Sequence, residues 1–217
     1  MKLMKLLGLV VGFGAILASG VALADDVVSI GVLPGSSINV RGSVFAFGQD
    51  PPASTLNNAL IADDGTLFVA QSDISFEPID VTVFTPIGTF VVHVELRAQS
   101  DLIGAYDRNT GSLTATADAD LKLTSNAPGF NNNSCIIPTT TLNFSTDDLG
   151  GSACSGGNCT AIDNTFVVNA IPLGACGGII PVADYAFLIN NALGLPSLTP
   201  GFNTLILVIR MDPPLAP

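Results

Sequence analysis

This sequence predicts an all-β, antiparallel fold, a sandwich or barrel tied by disulfides, with one short helix in its C-terminal half. Three observations lead there. Ser112–Thr124 alternates strictly, with Leu113, Ala115, Ala117, Ala119, Leu121 and Leu123 on one face. Thr114, Thr116, Asp118, Asp120 and Lys122 fall on the other, the pattern of a strand with one face in water. Turn residues punctuate the chain at short intervals, as in Asp63-Asp64-Gly65, Pro86-Ile87-Gly88 and Asp147-Asp148-Leu149-Gly150. Helical periodicity is nearly absent outside one segment.

In chain order, Met1–Ala24 reads as an export signal peptide. Lys2 and Lys5 form its positive start, an apolar run from Leu6 follows, and Ala22-Leu23-Ala24 is an A-x-A cleavage site before Asp25-Asp26. Leu6–Leu23 approaches the length of a bilayer span, but its glycines and the cleavage site favour removal. Val27–Leu33, Ser37–Phe47, Thr66–Ala70 and Val81–Thr85 are the next strands, with a weak short helix over Ser54–Ala62. Phe90–Arg97 sets Phe90, Val92, Val94 and Leu96 inward against Val91, His93, Glu95 and Arg97.

The turn Asp107-Arg108-Asn109-Thr110-Gly111 joins Asp101–Tyr106 to Ser112–Thr124 as a hairpin. Thr139–Thr146 and Thr165–Val168 follow as strands. Asn203–Met211, built on the continuous apolar run Leu205–Ile209, reads as a central strand covered on both faces. The helix begins at Pro181-Val182-Ala183-Asp184, carries Val182, Tyr185, Ile189, Ala192 and Leu193 at helical spacing, and ends at Gly194 with Pro196 beyond. Residues 25–217 therefore read as one β-rich secreted domain. The polar loop Asn126–Ser134 is the best candidate for a break, though it is a short loop rather than a tether.

The 217 residues carry a net charge of −11, one histidine and no tryptophan. Losing Lys2 and Lys5 with the leader makes the remainder more acidic still, which argues against nucleic acid or an anionic membrane as a partner. No later segment is fit to span a membrane: Ile179–Leu195 is broken by Asp184, Asn190 and Asn191, and Thr204–Met211 is too short. The expected location is secreted, extracellular or periplasmic.

Cys135, Cys154, Cys159 and Cys176 are an even set in an exported chain, so two disulfides are expected. Of three pairings, spacing favours Cys154–Cys159 around Ser155-Gly156-Gly157-Asn158, leaving Cys135–Cys176 to join distant segments. A zinc site would need two short chelating pairs, and only one close pair exists. No metal and no cofactor is expected.

Several stretches of the C-terminal half resemble one another's counterparts in a known group. They are Asn109-Thr110-Gly111-Ser112-Leu113, Leu121-Lys122-Leu123, Ser134-Cys135, Thr141–Thr146, Ala175-Cys176-Gly177-Gly178 and Ile189–Ser197. Together they resemble small secreted bacterial β-rich proteins of unknown function, many from actinomycetes, over about Asp101–Leu207. The resemblance implies a pairing of Cys135 with Cys176 and carries over no catalytic residue.

Catalytic patterns are weak. Ala153-Cys154-Ser155-Gly156-Gly157 is a loosened nucleophile elbow, but it lies in loop-like surroundings and follows the only histidine. His93 sits mid-strand on the polar face near Glu95, which reads as a solvent-facing neighbour of charge. Asp118 and Asp120 share a face about 7 Å apart, within glycosidase range, yet only Tyr106 and Tyr185 could help hold a sugar. Asp63-Asp64-Gly65 and Asp147-Asp148 read as turns rather than calcium loops. Asn132, Asn143 and Asn158 each start an N-x-Ser/Thr pattern. The expected function is a secreted, non-enzymatic structural or adhesive protein of the cell envelope or exterior, partnered by envelope components or by itself. A soluble module for glycan or lipid is the alternative, and a secreted hydrolase the third.

Overall fold

The computed structural model describes residues 26–85, 88–147, 150–179 and 183–215; the leader Met1–Ala24 and the helix start at Pro181-Val182 lie outside them. Eight strands close a ring. They are β1 (Asp26–Val32), β4 (Thr55–Ile61), β5 (Thr66–Val69), β9 (Leu102–Asp107), β10 (Ser112–Thr124), β11 (Ile136–Ser145), β13 (Asn158–Asp163) and β16 (Asn203–Asp212), each antiparallel to its neighbours. Their order around the ring is their order in the chain, and β16 pairs with β1 to close it. Barrel, rather than sandwich, is the outcome, and closure removes the open edges a flat sheet of this length would present.

The remaining strands decorate this ring: β2 (Ser36–Val40), β3 (Ser43–Phe47), β6 (Ile74–Ser75), β7 (Ile79–Thr85), β8 (Gly88–Ala98) and β12 (Ser152–Ser155). β6 pairs with β4 and β12 with β13, while two long strands rise out of the barrel to carry the others. β10 pairs with β9 through Ser112–Thr116 and with β8 through Ala119–Thr124. β16 pairs with β1 through Ile209–Asp212 and with β2 through Asn203–Ile206. The ribbons β2–β3 and β7–β8 so form a second storey above the barrel mouth. A small pair, β14 (Gly178–Ile179) with β15 (Ala183–Asp184), leads into α1 (Tyr185–Leu193).

Local chemistry explains these elements. The inward face of β10 buries Leu113, Ala115, Ala117, Ala119 and Leu123. Its alanines leave room for the larger Leu67, Leu142 and Leu205 of other strands, each burial of a leucine contributing about 2 kcal/mol. At Gly104 the β9–β10 hairpin is so close that a Cβ would stand 2.0 Å from the Thr114 carbonyl oxygen, so only glycine fits. Asp184 caps α1 by accepting from the Ala186 N–H at 2.8 Å. Gly194 ends it in the left-handed conformation at φ 66°. No helix among the described residues is long and apolar enough to cross a membrane.

Four segments differ from the sequence reading. Ser54–Ala62 is not a helix: it holds β4, whose Leu56, Ala59 and Ile61 are buried while Asn57 and Asn58 face out. A bulge against β1 between Val28 and Ile30, with Asn58 at φ 51°, slips the alternation by one residue and imitates helical spacing. Ser37–Phe47 is two strands, turned by Arg41 and Gly42 at positive φ, with the Gly42 N–H donating to Asn39 Oδ1 at 2.7 Å. Thr165–Val168 is no strand; the fully buried Asp163 takes the Thr165 and Phe166 N–H groups and the Thr165 hydroxyl, and only Val168 bridges to Ser197. In β16 one face is buried, whereas Thr204, Ile206, Val208 and Arg210 on the other are half-buried.

Candidate functional site

The barrel interior is filled. Among the described residues, apolar voids of about 50 Å³ lie inside the ring and under the β2–β3 ribbon beside Leu193 and Leu195. Ligand pockets usually run to about 300–1,000 Å³, so neither void holds a lipid chain as it stands.

Room exists elsewhere, where β8 outruns β10. The last β10 residue, Thr124, lies opposite His93, and the chain then turns aside while β8 runs on toward its start, paired with β7. The gap is a cleft of about 410 Å³. Thr89, Val91 and His93 of β8 form one wall, Ser125, Asn126 and Pro128 the other, and Tyr185 closes the end.

Both walls are held by specific bonds. The Ser125 hydroxyl donates to the Val91 carbonyl at 2.6 Å and accepts the Ala127 N–H at 3.2 Å. The Ser125 N–H donates to Asn132 Oδ1 at 2.8 Å. Tyr185, only 2% exposed, donates its hydroxyl to the Pro128 carbonyl at 2.9 Å. Its ring meets Phe90 edge-on at 5.2 Å and Phe130 at 5.3 Å. The structure pairs Cys135 with Cys176 and Cys154 with Cys159. The first bridge fastens the segment that leads into α1 against the end of the β10–β11 loop, where the Asn131 N–H also donates to the Cys176 carbonyl at 2.8 Å. Tyr185 thereby keeps its place.

Sequence-predicted catalytic residues do not converge here. His93 contacts the Asp80 carboxylate through Nδ1, directly across the β7–β8 ladder, rather than Glu95. Ser155 ends β12 opposite Asn158, at a two-glycine hairpin turn clasped by Cys154–Cys159, and does not line the cleft. No strand-to-helix elbow forms around it.

The carboxylate pair is also divided. Asp118 accepts from the Thr141 hydroxyl at 2.7 Å. Asp120, placed on a solvated face by its alternation, is 7% exposed and takes a two-pronged bond from Arg97 at 2.8 and 2.7 Å. Its burial comes from cover and not from a change of face: β10 keeps its alternation, the extra residue at the register break falls in β11, and Arg97, opposite Asp120 on β8, lies across the carboxylate. That bond also holds the Arg97 guanidinium above its ordinary pKa.

The acidic turns are ordinary turns. Asp64 accepts the Thr66 N–H at 2.9 Å, and this bond lowers its pKa. Asp107 does the same for Asn109 at 2.8 Å, with the same effect. Asp147 accepts from the Ser112 hydroxyl, while Asp148 lies outside the described residues. No group of three His, Cys, Asp or Glu placed to hold a metal occurs among the described residues.

A second surface escaped the sequence reading. Val27, Leu60, Phe68 and Ile103 stand directly opposite one another on β1, β4, β5 and β9, each between 37% and 58% exposed. Thr116 and Asn143 extend the row on β10 and β11. The outer barrel wall therefore carries an uncharged, partly apolar belt on an acidic protein. No strand alone reveals it, because each contributes one residue.

Comparison with protein-family models, curated proteins and solved structures finds no match to this chain. The site is accordingly read from its own chemistry.

Proposed function

We propose that this chain is an exported, non-enzymatic binding protein of the cell exterior, in which a rigid barrel presents the Thr89–Tyr185 cleft to a ligand. The observation that carries the reading is the cleft itself: it has ligand-sized volume, mixed polar and apolar walls, and a frame fixed by Ser125, Tyr185 and a disulfide. The leader-like sequence and the paired cysteines support an oxidising compartment. A hydrolase of the kind the sequence offered is disfavoured because Ser155 lies at another hairpin, away from His93, and Asp120 is neutralised by Arg97. The apolar outer row supplies a second contact surface, which suits attachment to envelope material or to another copy.

Thermal unfolding of the mature protein with panels of peptides, oligosaccharides and acyl lipids tests the reading. A ligand at about 100 times its Kd is expected to add about 2.7 kcal/mol, hence several degrees in Tm. Asn126→Trp, which fills the cleft from an exposed position, should abolish the shift while leaving the unliganded Tm within about 2 °C. A panel without any shift, or shifts unchanged by Asn126→Trp, contradicts the proposal.

A further inference from the structure

Resting on that reading of the cleft, we propose that its occupant is an extended, basic polypeptide segment, added to the open edge of β8 as the strand that continues the line of β10. The backbone directions carry the argument. The Leu123 N–H points away from β8, toward the Cys135 carbonyl at 2.9 Å, so the polar backbone groups of Thr124 point toward β8, opposite His93. Along β8, polar backbone groups alternate sides, so those of Val91 and Thr89 point the same way as those of His93. The Val91 carbonyl confirms the direction, because it receives the Ser125 hydroxyl from across the cleft. From Thr89 to Val92 no strand pairs with β8 on this side among the described residues. The Thr89 N–H, the Thr89 carbonyl and the Val91 N–H therefore face the cleft at strand spacing, which is the pattern that recruits an added strand.

Shape and charge narrow the occupant. A cleft of about 410 Å³ beside a short run of open edge suits a few extended residues. Sugar recognition would want an exposed aromatic face, but Tyr185 is buried with its hydroxyl committed to Pro128. Among the described residues, no lysine or arginine lines the cleft. At the end where β10 stops, Asp80 stands beside His93 with its side chain 67% exposed, on a chain of net charge −11. A lysine or arginine of the peptide meets favourable potential there, and an acidic peptide meets repulsion.

The test selects random peptides of about 12 residues, displayed on phage, against the mature disulfide-bonded protein, then scans the best binder by N-methylating each backbone amide in turn. Strand addition predicts basic peptides whose affinity falls at least tenfold at alternate amides and changes less than about threefold at those between. Thr89→Pro, which removes the cleft-facing N–H, should weaken the same peptide at least tenfold. Asn126→Trp serves as the blocking variant if Thr89→Pro fails to fold by circular dichroism. An N-methyl scan without period two, or a peptide indifferent to the folded variants, overturns the inference. An oligosaccharide from a glycan array that binds and is lost in Asn126→Trp overturns the peptide while leaving the binding cleft standing. Absence of any cleft-dependent ligand from both libraries overturns both.

Discussion

Replacing Cys135 and Cys176 together by alanine is expected to remove about 4 kcal/mol of stability and lower Tm by roughly 8–16 °C. The bridge closes a separation of 41 residues, against 5 for Cys154–Cys159, whose removal should cost about 2 kcal/mol in the same chain-entropy reasoning. Alanine is the right replacement, because both sulfurs are fully buried and a serine hydroxyl would add an unsatisfied polar group. The longer bridge also fixes the approach to α1, so its loss should loosen Tyr185 and raise hydrogen exchange along 171–179. Thermal and urea unfolding of the two double variants measure the difference. Equal losses from both pairs would contradict the account of what the long bridge does.

Arg97→Met is expected to destabilise the protein by about 3 kcal/mol, at the low end for a broken buried pair because Arg97 keeps about a third of its side chain in solvent. The loss comes chiefly from Asp120, whose carboxylate stays buried without its partner. Arg97→Met with Asp120→Leu should recover most of the stability, since an apolar pair of similar volume carries no desolvation penalty. Urea denaturation of both variants gives the comparison. A double variant no better than Arg97→Met would mean that Arg97 acts through packing on β8 rather than by compensating Asp120.

Period-two patterning made most of the barrel legible. Ser112–Thr124 and Phe90–Arg97 lie in β10 and β8, and the turn at Asn109-Thr110-Gly111 joins β9 to β10. Patterning breaks down where a bulge breaks the period, as at Asn58 in β4. There an alternation rule assigns the wrong face once a residue is inserted; Asp120 lies on the face its alternation assigns and is buried because Arg97 of β8 covers it. Ring closure is a long-range fact, made by β16 against β1, and no local pattern encodes it.

The cleft was less accessible still. His93 was visible, but its partner Asp80 follows only from the β7–β8 register, in which Thr85 lies opposite Gly88 and Asp80 opposite His93. Ser125, Pro128 and Tyr185 meet there because β10 stops short of the end of β8 and the α1 segment packs beneath. Nothing in the spacing of those three residues marks them as neighbours. The apolar belt of Val27, Leu60, Phe68 and Ile103 likewise exists only once four strands stand in register.

Fractionation of the native host, following wild type, Asn126→Trp and Phe68→Lys by antibody with thiol alkylation, tests the central claim most directly. The account predicts wild-type protein outside the cytoplasm, without free thiols, held in the envelope or in a sedimentable complex. Asn126→Trp should release it as a small soluble species, and Phe68→Lys should weaken any attachment made through the outer wall. Wild-type protein recovered in the cytoplasm with four free thiols, or bound identically in all three forms, would contradict the account.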